Sequence, residues 1–180
     1  MSRIIGGVAG GRRLSMPKGQ ATRPTSDRVR EGLFSSLGGD LSGRAFLDLY
    51  AGSGAVGLEA ASRGATSVVL VERDARAVGV IRGNVAAVGV PNVVVRGEPV
   101  ARFLAEPAVN AFDVVFLDPP YADPVDGVLE LLVEGGWLTA DAVVVVERAT
   151  RDQAPHWPPG LIEDRSRRYG DSTLWYGRRP

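Results

Sequence analysis

From Arg44 onward, short apolar runs alternate with amphipathic stretches, and this alternation constrains the fold more than any other feature. The runs are continuous and rich in Val and Leu, as is typical of parallel strands that helices cover on both faces. They predict strands at residues 45–50, 67–72, 92–96, 113–117 and 142–147. The stretches between them predict helices at residues 55–63, 74–88, 100–104 and 125–134. We therefore expect an α/β fold built on a doubly wound sheet.

The two ends of the chain depart from this alternation. Residues 161–168 and 172–176 flank a short turn and predict an antiparallel hairpin, which completes a mostly parallel seven-stranded sheet. Residues 3–5 and 13–16 flank a glycine-rich turn and predict a second, small hairpin. A helix capped by Thr25 or Ser26 is expected to run to about Leu37. We predict an attached extension at residues 1–40, followed by a main domain at residues 41–180.

The formal net charge is zero, but it is unevenly distributed. Residues 1–30 hold seven basic and one acidic residue, residues 31–162 hold nine and seventeen, and residues 163–180 hold five and three. All but one of the 21 basic residues are arginine, whose guanidinium matches phosphate oxygens in a bidentate way. Basic ends are typical of nucleic-acid binding and also of solvated tails, and composition alone leaves both readings open.

A glycine turn joins the first predicted strand to the following helix. Gly52, Gly54 and Gly57 have the spacing of a dinucleotide-type turn, and Glu72 ends the next strand. These features fit NAD, FAD and S-adenosylmethionine equally. Asp48 favours the last, because a carboxylate beside the turn would repel a pyrophosphate but could hold an ammonium group, and because no later segment resembles a hydride-transfer site. The predicted cofactor-binding residues are Asp48, Tyr50, Ala51, Gly52, Ser53, Gly54, Glu72, Arg73 and Glu98.

A second motif follows the fourth predicted strand and consists of Asp118, Pro119, Pro120 and Tyr121. Ligands of open α/β sheets gather at the carboxyl ends of the strands, so this segment is expected beside the glycine turn. An exocyclic base amine is a poor nucleophile; the Asp118 carboxylate and the Pro119 carbonyl could accept its two N–H groups. The prolines stiffen the turn, and Tyr121 could stack on an extruded base. We predict these four residues as the catalytic site of an amino-methyltransferase.

The chain resembles the RsmD family of 16S rRNA guanine-N2 methyltransferases over nearly all of its length. The stretches that carry the resemblance are residues 3–7, 22–31, 48–54, 58–60 and 118–121, and the second of these is the most diagnostic. The resemblance implies a Rossmann-like methyltransferase fold, S-adenosylmethionine as cofactor, and the N2 of guanine 966 in 16S rRNA as target. It further implies a substrate presented by an assembled or assembling small ribosomal subunit.

The resemblance also implies that the N-terminal hairpin and the following helix face the RNA. The predicted RNA-binding residues are Arg12, Arg13, Arg23, Thr25, Arg28 and Arg30. Arg28 and Arg30 are expected off the apolar stripe of the helix. One departure from the family pattern is Glu98-Pro99, where relatives have Asp-Ala, and it puts the adenine contact of Glu98 in doubt.

Three alternatives remain open. The same chemistry could act on adenine N6 or cytosine N4 in DNA, although a separate target-recognition domain has no room in 180 residues. A glutamine side-chain methyltransferase would instead have Asn at position 118, and a non-catalytic RNA-binding module would need only the basic ends. Cysteine is absent and His156 is the lone histidine, so we expect no disulfide and no metal site. No apolar run suits a signal peptide or membrane span, and we expect a cytoplasmic protein, by default a monomer.

Overall fold

The fold is known from a computed structural model that describes residues 2–19 and 25–180. The strands within these residues are β1 Ser2–Arg3, β2 Arg13–Leu14, β3 Ala45–Leu49, β4 Ser67–Glu72, β5 Val93–Gly97, β6 Phe112–Leu117, β7 Leu138–Ala149, β8 Ile162–Tyr169 and β9 Ser172–Arg178. The helices are α1 Asp27–Ser36, α2 Ala55–Ser62, α3 Ala75–Val88, α4 Val100–Ala105 and α5 Asp126–Glu134.

Within the described residues, seven strands form the main sheet in the order β5-β4-β3-β6-β7-β9-β8. Strands β3 to β7 pair in parallel, while β9 runs antiparallel to both β7 and β8. The chain leaves β3 for β4 on one side and returns to β6 on the other, so the strand order reverses beside β3. Ligands of open α/β sheets bind at such a switch point. The predicted fold class is confirmed.

Apolar side chains cover both faces of the sheet and form two cores. Phe46, Leu70 and Phe116 lie in the core beneath α1, α2 and α3, whereas Leu47 and Leu117 lie in the core beneath α4 and α5. Neighbouring residues of the central strands β3, β4, β6 and β7 thus enter opposite cores, which explains why these strands have no exposed face.

The described N-terminal residues pack on the main sheet's helices. Ile4 and Leu14 are buried in the first core, and the amides of Ile5 and Gly6 each donate to the Glu59 carboxylate at 2.8 Å. A side chain at Gly7 would collide with the backbone of Ser62, so this close approach requires glycine. The hairpin is therefore held against α2, and the division at residue 40 stays a prediction.

The predicted element boundaries lie within two residues of the observed ones, except for the start of β7. The N-terminal hairpin is shorter than predicted, since the Ile5 amide turns to the Glu59 carboxylate of α2 instead of to the opposite arm. Strand β7 begins four residues before the predicted position, and its pairing with β6 shifts register between Phe112 and Val114. Among the described residues, no helix is both long and apolar enough to span a bilayer.

Candidate active site

The glycine turn connects the end of β3 to the start of α2 and has a left-handed backbone at three positions. Tyr50, Gly52 and Gly54 have φ angles of 62°, 60° and 81°. A non-glycine residue in this region is strained, and such strain is commonly found at ligand sites. A side chain at Gly57 would collide with Leu70, so this glycine allows α2 to pack closely on β4.

Asp48 lies at the start of this turn and is buried. Its Oδ2 accepts a hydrogen bond from the Gly57 amide at 2.9 Å. Burial raises the pKa of the Asp48 carboxyl to about 7, and the nearby charge of Glu72 raises it further, against the lowering effect of the Gly57 amide. A cation brought to this carboxylate would offset the cost of burying its charge.

A cavity of about 580 Å³ opens over the carboxyl ends of β3 and β4. This volume is in the range of small-molecule sites, which is roughly 300–1,000 Å³. Its lining includes Asp48, Tyr50, Ala51, Gly52, Ser53, Glu72 and Arg73 from the predicted set, together with Thr25, Asp118 and Pro120. The lining also holds Asp74 and Asp123, so among the described residues its acidic side chains outnumber its basic ones.

Glu72 ends β4, and Asp118 follows β6, so the two carboxylates lie on opposite sides of β3 in this cavity. The two oxygens of Glu72 accept hydrogen bonds from the amides of Gly52, at 2.9 Å, and Asp74, at 3.0 Å. A carboxylate has about four acceptor positions, so these bonds hold it in place and leave acceptor capacity for a diol. Arg73 is exposed and lies 3.8 Å from the Asp123 carboxylate.

Two predicted cofactor-binding positions lie outside the cavity lining. The Glu98 carboxylate turns back to Arg96, at 3.3 Å, and the cavity is lined instead by Pro99, Val100 and Ala101. The Glu98 side chain is therefore turned away from the cavity, and its contact with the adenine edge stays a prediction. Gly54 is the N-cap residue of α2 and does not line the cavity; a Cβ at this position would meet the Ile81 side chain at 3.3 Å.

Asp118 follows the last residue of β6 and lines the same cavity. Strands β3 and β6 are parallel neighbours, with Leu49 paired to Leu117, so the glycine turn and the Asp-Pro-Pro-Tyr segment meet at one edge. Burial raises the pKa of the Asp118 carboxyl well above its usual range, and the adjacent Glu147 raises it further. The Thr25 hydroxyl, 3.3 Å from Asp118 Oδ2, acts in the opposite direction.

A second cavity, of about 800 Å³, lies on the other side of Asp118. Asp118 and Pro120 line both cavities, while Pro119 and Tyr121 line only the second. The Tyr121 side chain is at the rim with 69% of its surface exposed, and the Arg151 guanidinium lies 5.5 Å from its ring centroid. Two sites of ligand size therefore meet at a single buried carboxylate.

The structure separates the arginines that were predicted to contact RNA. Arg13 and Arg28 are exposed, and Arg12 is exposed while its guanidinium donates to the Val88 carbonyl. Arg23 lies outside the described residues. Thr25 lies within the active-site cavity, between Asp118 and Glu147, and not on an outer surface.

Arg30 is fully buried, and the expectation that it faces RNA is wrong. Its Nη2 donates to Asp27 at 2.7 Å, to the Arg3 carbonyl at 2.8 Å and to Ser2 at 3.1 Å. Its Nη1 lies 3.8 Å from the buried Glu59 carboxylate. A guanidinium held in this way joins α1 to the N-terminal hairpin and to α2.

Among the described residues, sequence reasoning missed six charged residues of the second cavity, three acidic and three basic: Glu147, Asp152, Asp171, Arg148, Arg151 and Arg168. Glu147 lies in β7 directly after a run of valines. An acidic residue directly after an apolar run is the same signal that identified Glu72 at the end of β4, and it could have identified Glu147. Arg148, Arg151 and Arg168 also line this cavity. Sequence reasoning passed over Arg148 and Arg151 because they lie in the acidic middle of the chain, and over Arg168 because it lies in the terminal hairpin.

The first cavity fits a cationic adenosyl ligand on three grounds. Its lining is acidic, its turn backbone is opened by Gly52, and Glu72 is fixed where a ribose diol would need an acceptor. A dinucleotide pyrophosphate would instead meet Asp48 and Asp118. Within residues 2–19 and 25–180, no group of three or more His, Asp or Glu side chains could hold a metal ion.

Comparisons with known proteins match this chain over nearly its whole length. The family model described as "Conserved hypothetical protein 95" matches residues 2–178. Ribosomal RNA small subunit methyltransferase D of Escherichia coli is 38% identical over 157 residues, 87% of this chain and 79% of that protein. The Haemophilus influenzae protein of the same name is 36% identical over 149 residues, 81% and 77% of the two chains. The solved structure titled "Putative methyltransferase yhhF from Escherichia coli" is 34% identical, with a TM-score of 0.89 over 98% of this chain and 97% of that one.

Proposed function

Since this chain belongs to the RsmD family of methyltransferases, we propose that it transfers a methyl group to the exocyclic N2 of a guanine in 16S rRNA. The target that this proposal names is guanine 966, within an assembled or assembling small ribosomal subunit. The cofactor is S-adenosylmethionine, and the protein acts as a monomer that binds this particle.

The observation that carries the proposal is the meeting of two cavities at Asp118. One cavity is acidic and lies over the glycine turn, as a cationic cofactor requires. The other is lined by Tyr121 and by arginines, as an extruded base and its phosphates require. A binding module would need only the second cavity, so the first one favours an enzyme.

Residues of the first cavity bind and orient the cofactor, which supplies an activated methyl group on a sulfonium sulfur. In this proposal Glu72 accepts from the ribose hydroxyls, and Asp48 holds the ammonium group. The strained turn at Tyr50, Ala51, Gly52 and Ser53 forms the wall against which the ligand packs.

Residues of the Asp-Pro-Pro-Tyr segment hold the amine. Asp118 accepts one N–H and the Pro119 carbonyl accepts the other, which favours a pyramidal nitrogen with its lone pair exposed. Once methylated, the nitrogen is strongly acidic, and Asp118 takes its proton. Orientation and proximity supply most of the rate, an effect worth about 7–11 kcal/mol in well-aligned systems.

The proposal assigns RNA contact to both ends of the chain. Residues 1–40 act as an RNA-binding extension on the methyltransferase domain of residues 41–180. Arg12, Arg13 and Arg28 are exposed arginines of this extension. Arg151 and Arg168 add a second group of guanidinium groups around the substrate cavity.

The direct test is to supply the protein and labelled S-adenosylmethionine to small subunits from a strain that lacks it. We expect one methyl group per particle, recovered as N2-methylguanosine at a single position of 16S rRNA by nucleoside mass mapping. Methylation of adenine or cytosine, in RNA or in DNA, would contradict the proposal. Cofactor binding by calorimetry, without transfer to any nucleic acid, would also do so.

A further inference from the structure

A second carboxylate lies beside Asp118 in the substrate cavity. Strands β6 and β7 are parallel neighbours with Leu117 paired to Val146, so Asp118 and Glu147 follow at the same level on the same face. Glu147 is only 8% exposed and lines the cavity. The Thr25 hydroxyl lies 2.9 Å from Glu147 Oε2 and 3.3 Å from Asp118 Oδ2.

This pair selects for hydrogen-bond donors. A hydroxyl has one proton to donate, and the shorter distance gives the Thr25 proton to Glu147. Two adjacent buried carboxylates repel each other unless donors are brought to them. A base that presents neighbouring N–H groups would stabilise both, whereas a base with a ring acceptor beside its amine would face a buried negative charge.

The Watson–Crick edges of the bases differ in this respect. Guanine presents a ring N1–H next to its N2 amine, so two neighbouring donors point the same way. Adenine and cytosine each place an unprotonated ring nitrogen next to the exocyclic amine, and this nitrogen is an acceptor. A carboxylate pair can therefore distinguish guanine from both other amino bases without contacting any other atom.

We propose that Glu147 is the specificity-determining residue of this site, accepting the N1–H of the target guanine while Asp118 accepts an N2–H. The inference rests on the proposed function, because it assumes a guanine amine at Asp118. It adds a reason why the chemistry is confined to guanine, and Thr25 becomes the residue that positions the Glu147 carboxylate.

The test uses small subunits rebuilt with either guanine or 2-aminopurine at the target position. The analogue keeps the N2 amine but has an acceptor at N1. We expect wild-type kcat/KM to favour guanine by roughly 10- to 100-fold, the range for losing a hydrogen bond to a charged group. In Glu147→Gln the amide NH2 can donate to the analogue, so this preference should shrink or invert. Glu163→Gln, at an exposed position of β8, should keep the wild-type preference.

The outcomes separate the inference from the function on which it rests. A wild-type enzyme that methylates no guanine overturns the proposed function. A wild-type enzyme that methylates guanine but accepts 2-aminopurine equally well overturns the role of Glu147, whatever the variant does. Unchanged preference in a Glu147→Gln enzyme that binds S-adenosylmethionine normally overturns it too, while leaving the function intact.

Discussion

Among the described residues, Asp118 is the one titratable residue that lines both cavities, and burial raises the pKa of its carboxyl. We expect Asp118→Asn to lower kcat by about 100- to 10,000-fold, because an amide cannot accept the amine proton. Cofactor affinity should stay within a few-fold, since Asp48 and Glu72 are unchanged. Single-turnover methylation and calorimetry measure the two effects. Loss of cofactor binding with normal turnover of bound cofactor would mean that the role of Asp118 is misassigned.

Protonation of Asp48 should make stability depend on pH. The folded protein raises the pKa of this carboxyl from 3.8 to about 7, so the folded state holds the proton more tightly than the unfolded chain does. The resulting stabilisation is complete below the unfolded pKa and is lost as pH rises through about 7. Without cofactor, the free energy of unfolding should therefore fall between about pH 4 and about pH 7.

Asp48→Asn removes this titration, so the difference between the variant and the wild type isolates the contribution of Asp48. Urea unfolding at the two pH values should show a smaller loss of stability in the variant than in the wild type. Equal losses in the two proteins would contradict the raised pKa of Asp48. The same comparison for cofactor affinity should show a steeper rise with pH in the wild type, because an ionised Asp48 pairs with the ammonium group.

The residues that sequence reasoning placed correctly are those that follow from local pattern. Glu72 and Asp118 each come directly after an apolar strand, and the carboxyl ends of parallel strands share an edge. Arg30 could not be placed in this way, because its burial depends on Glu59, which is far along the chain. The orientation of Glu98 could not be predicted for a related reason: pairing with Arg96 turns its side chain away from the cavity.

At the level of elements, apolar periodicity predicted the order and type of the strands but not their full extent. Strand β7 starts at Leu138, although Thr139 and Asp141 interrupt the apolar pattern. Asp141 has a φ angle of 63°, and the pairing with β6 changes register nearby. A local irregularity of this kind depends on the partner strand, so it leaves no signal in the strand's own residues.

The buried Arg30 links three elements, and its removal should destabilise the fold. Arg30→Ala removes the hydrogen bonds to Asp27, Ser2 and the Arg3 carbonyl, so we expect a loss of about 1–3 kcal/mol. The buried Glu59 carboxylate keeps Arg63 at 2.9 Å, which limits the cost of losing the Arg30 guanidinium. Arg28→Ala, two residues away on α1 and exposed, should change stability by less than about 0.5 kcal/mol. Chemical denaturation of both variants measures this contrast. A stable Arg30→Ala protein with weakened RNA binding would restore the original surface assignment.

At the scale of the whole molecule, the fold places acidic and basic side chains at different depths of the substrate cavity. Glu147 is buried and Asp118 partly buried at its floor, whereas Arg151 and Arg168 are exposed at its rim together with Asp171. Phosphates are therefore attracted to the entrance while donors of a base are attracted to the floor. A net charge of zero conceals this arrangement, because it depends on where the fold places each charge.

This arrangement predicts that rim arginines affect RNA binding and not the methyl-transfer step. Arg151→Ala and Arg168→Ala should each weaken binding of a 16S rRNA fragment and reduce the slope of log affinity against log salt by roughly 0.7–0.9, as expected for one lost phosphate contact. Arg102→Ala, exposed on α4 and absent from the cavity lining, should leave the slope unchanged. With saturating RNA, kcat of the rim variants should stay within a few-fold of wild type, because Asp118 is unaltered. A slope equal to that of Arg102→Ala would remove the rim from the RNA interface, and a large loss of kcat at saturation would place these arginines in the chemical step.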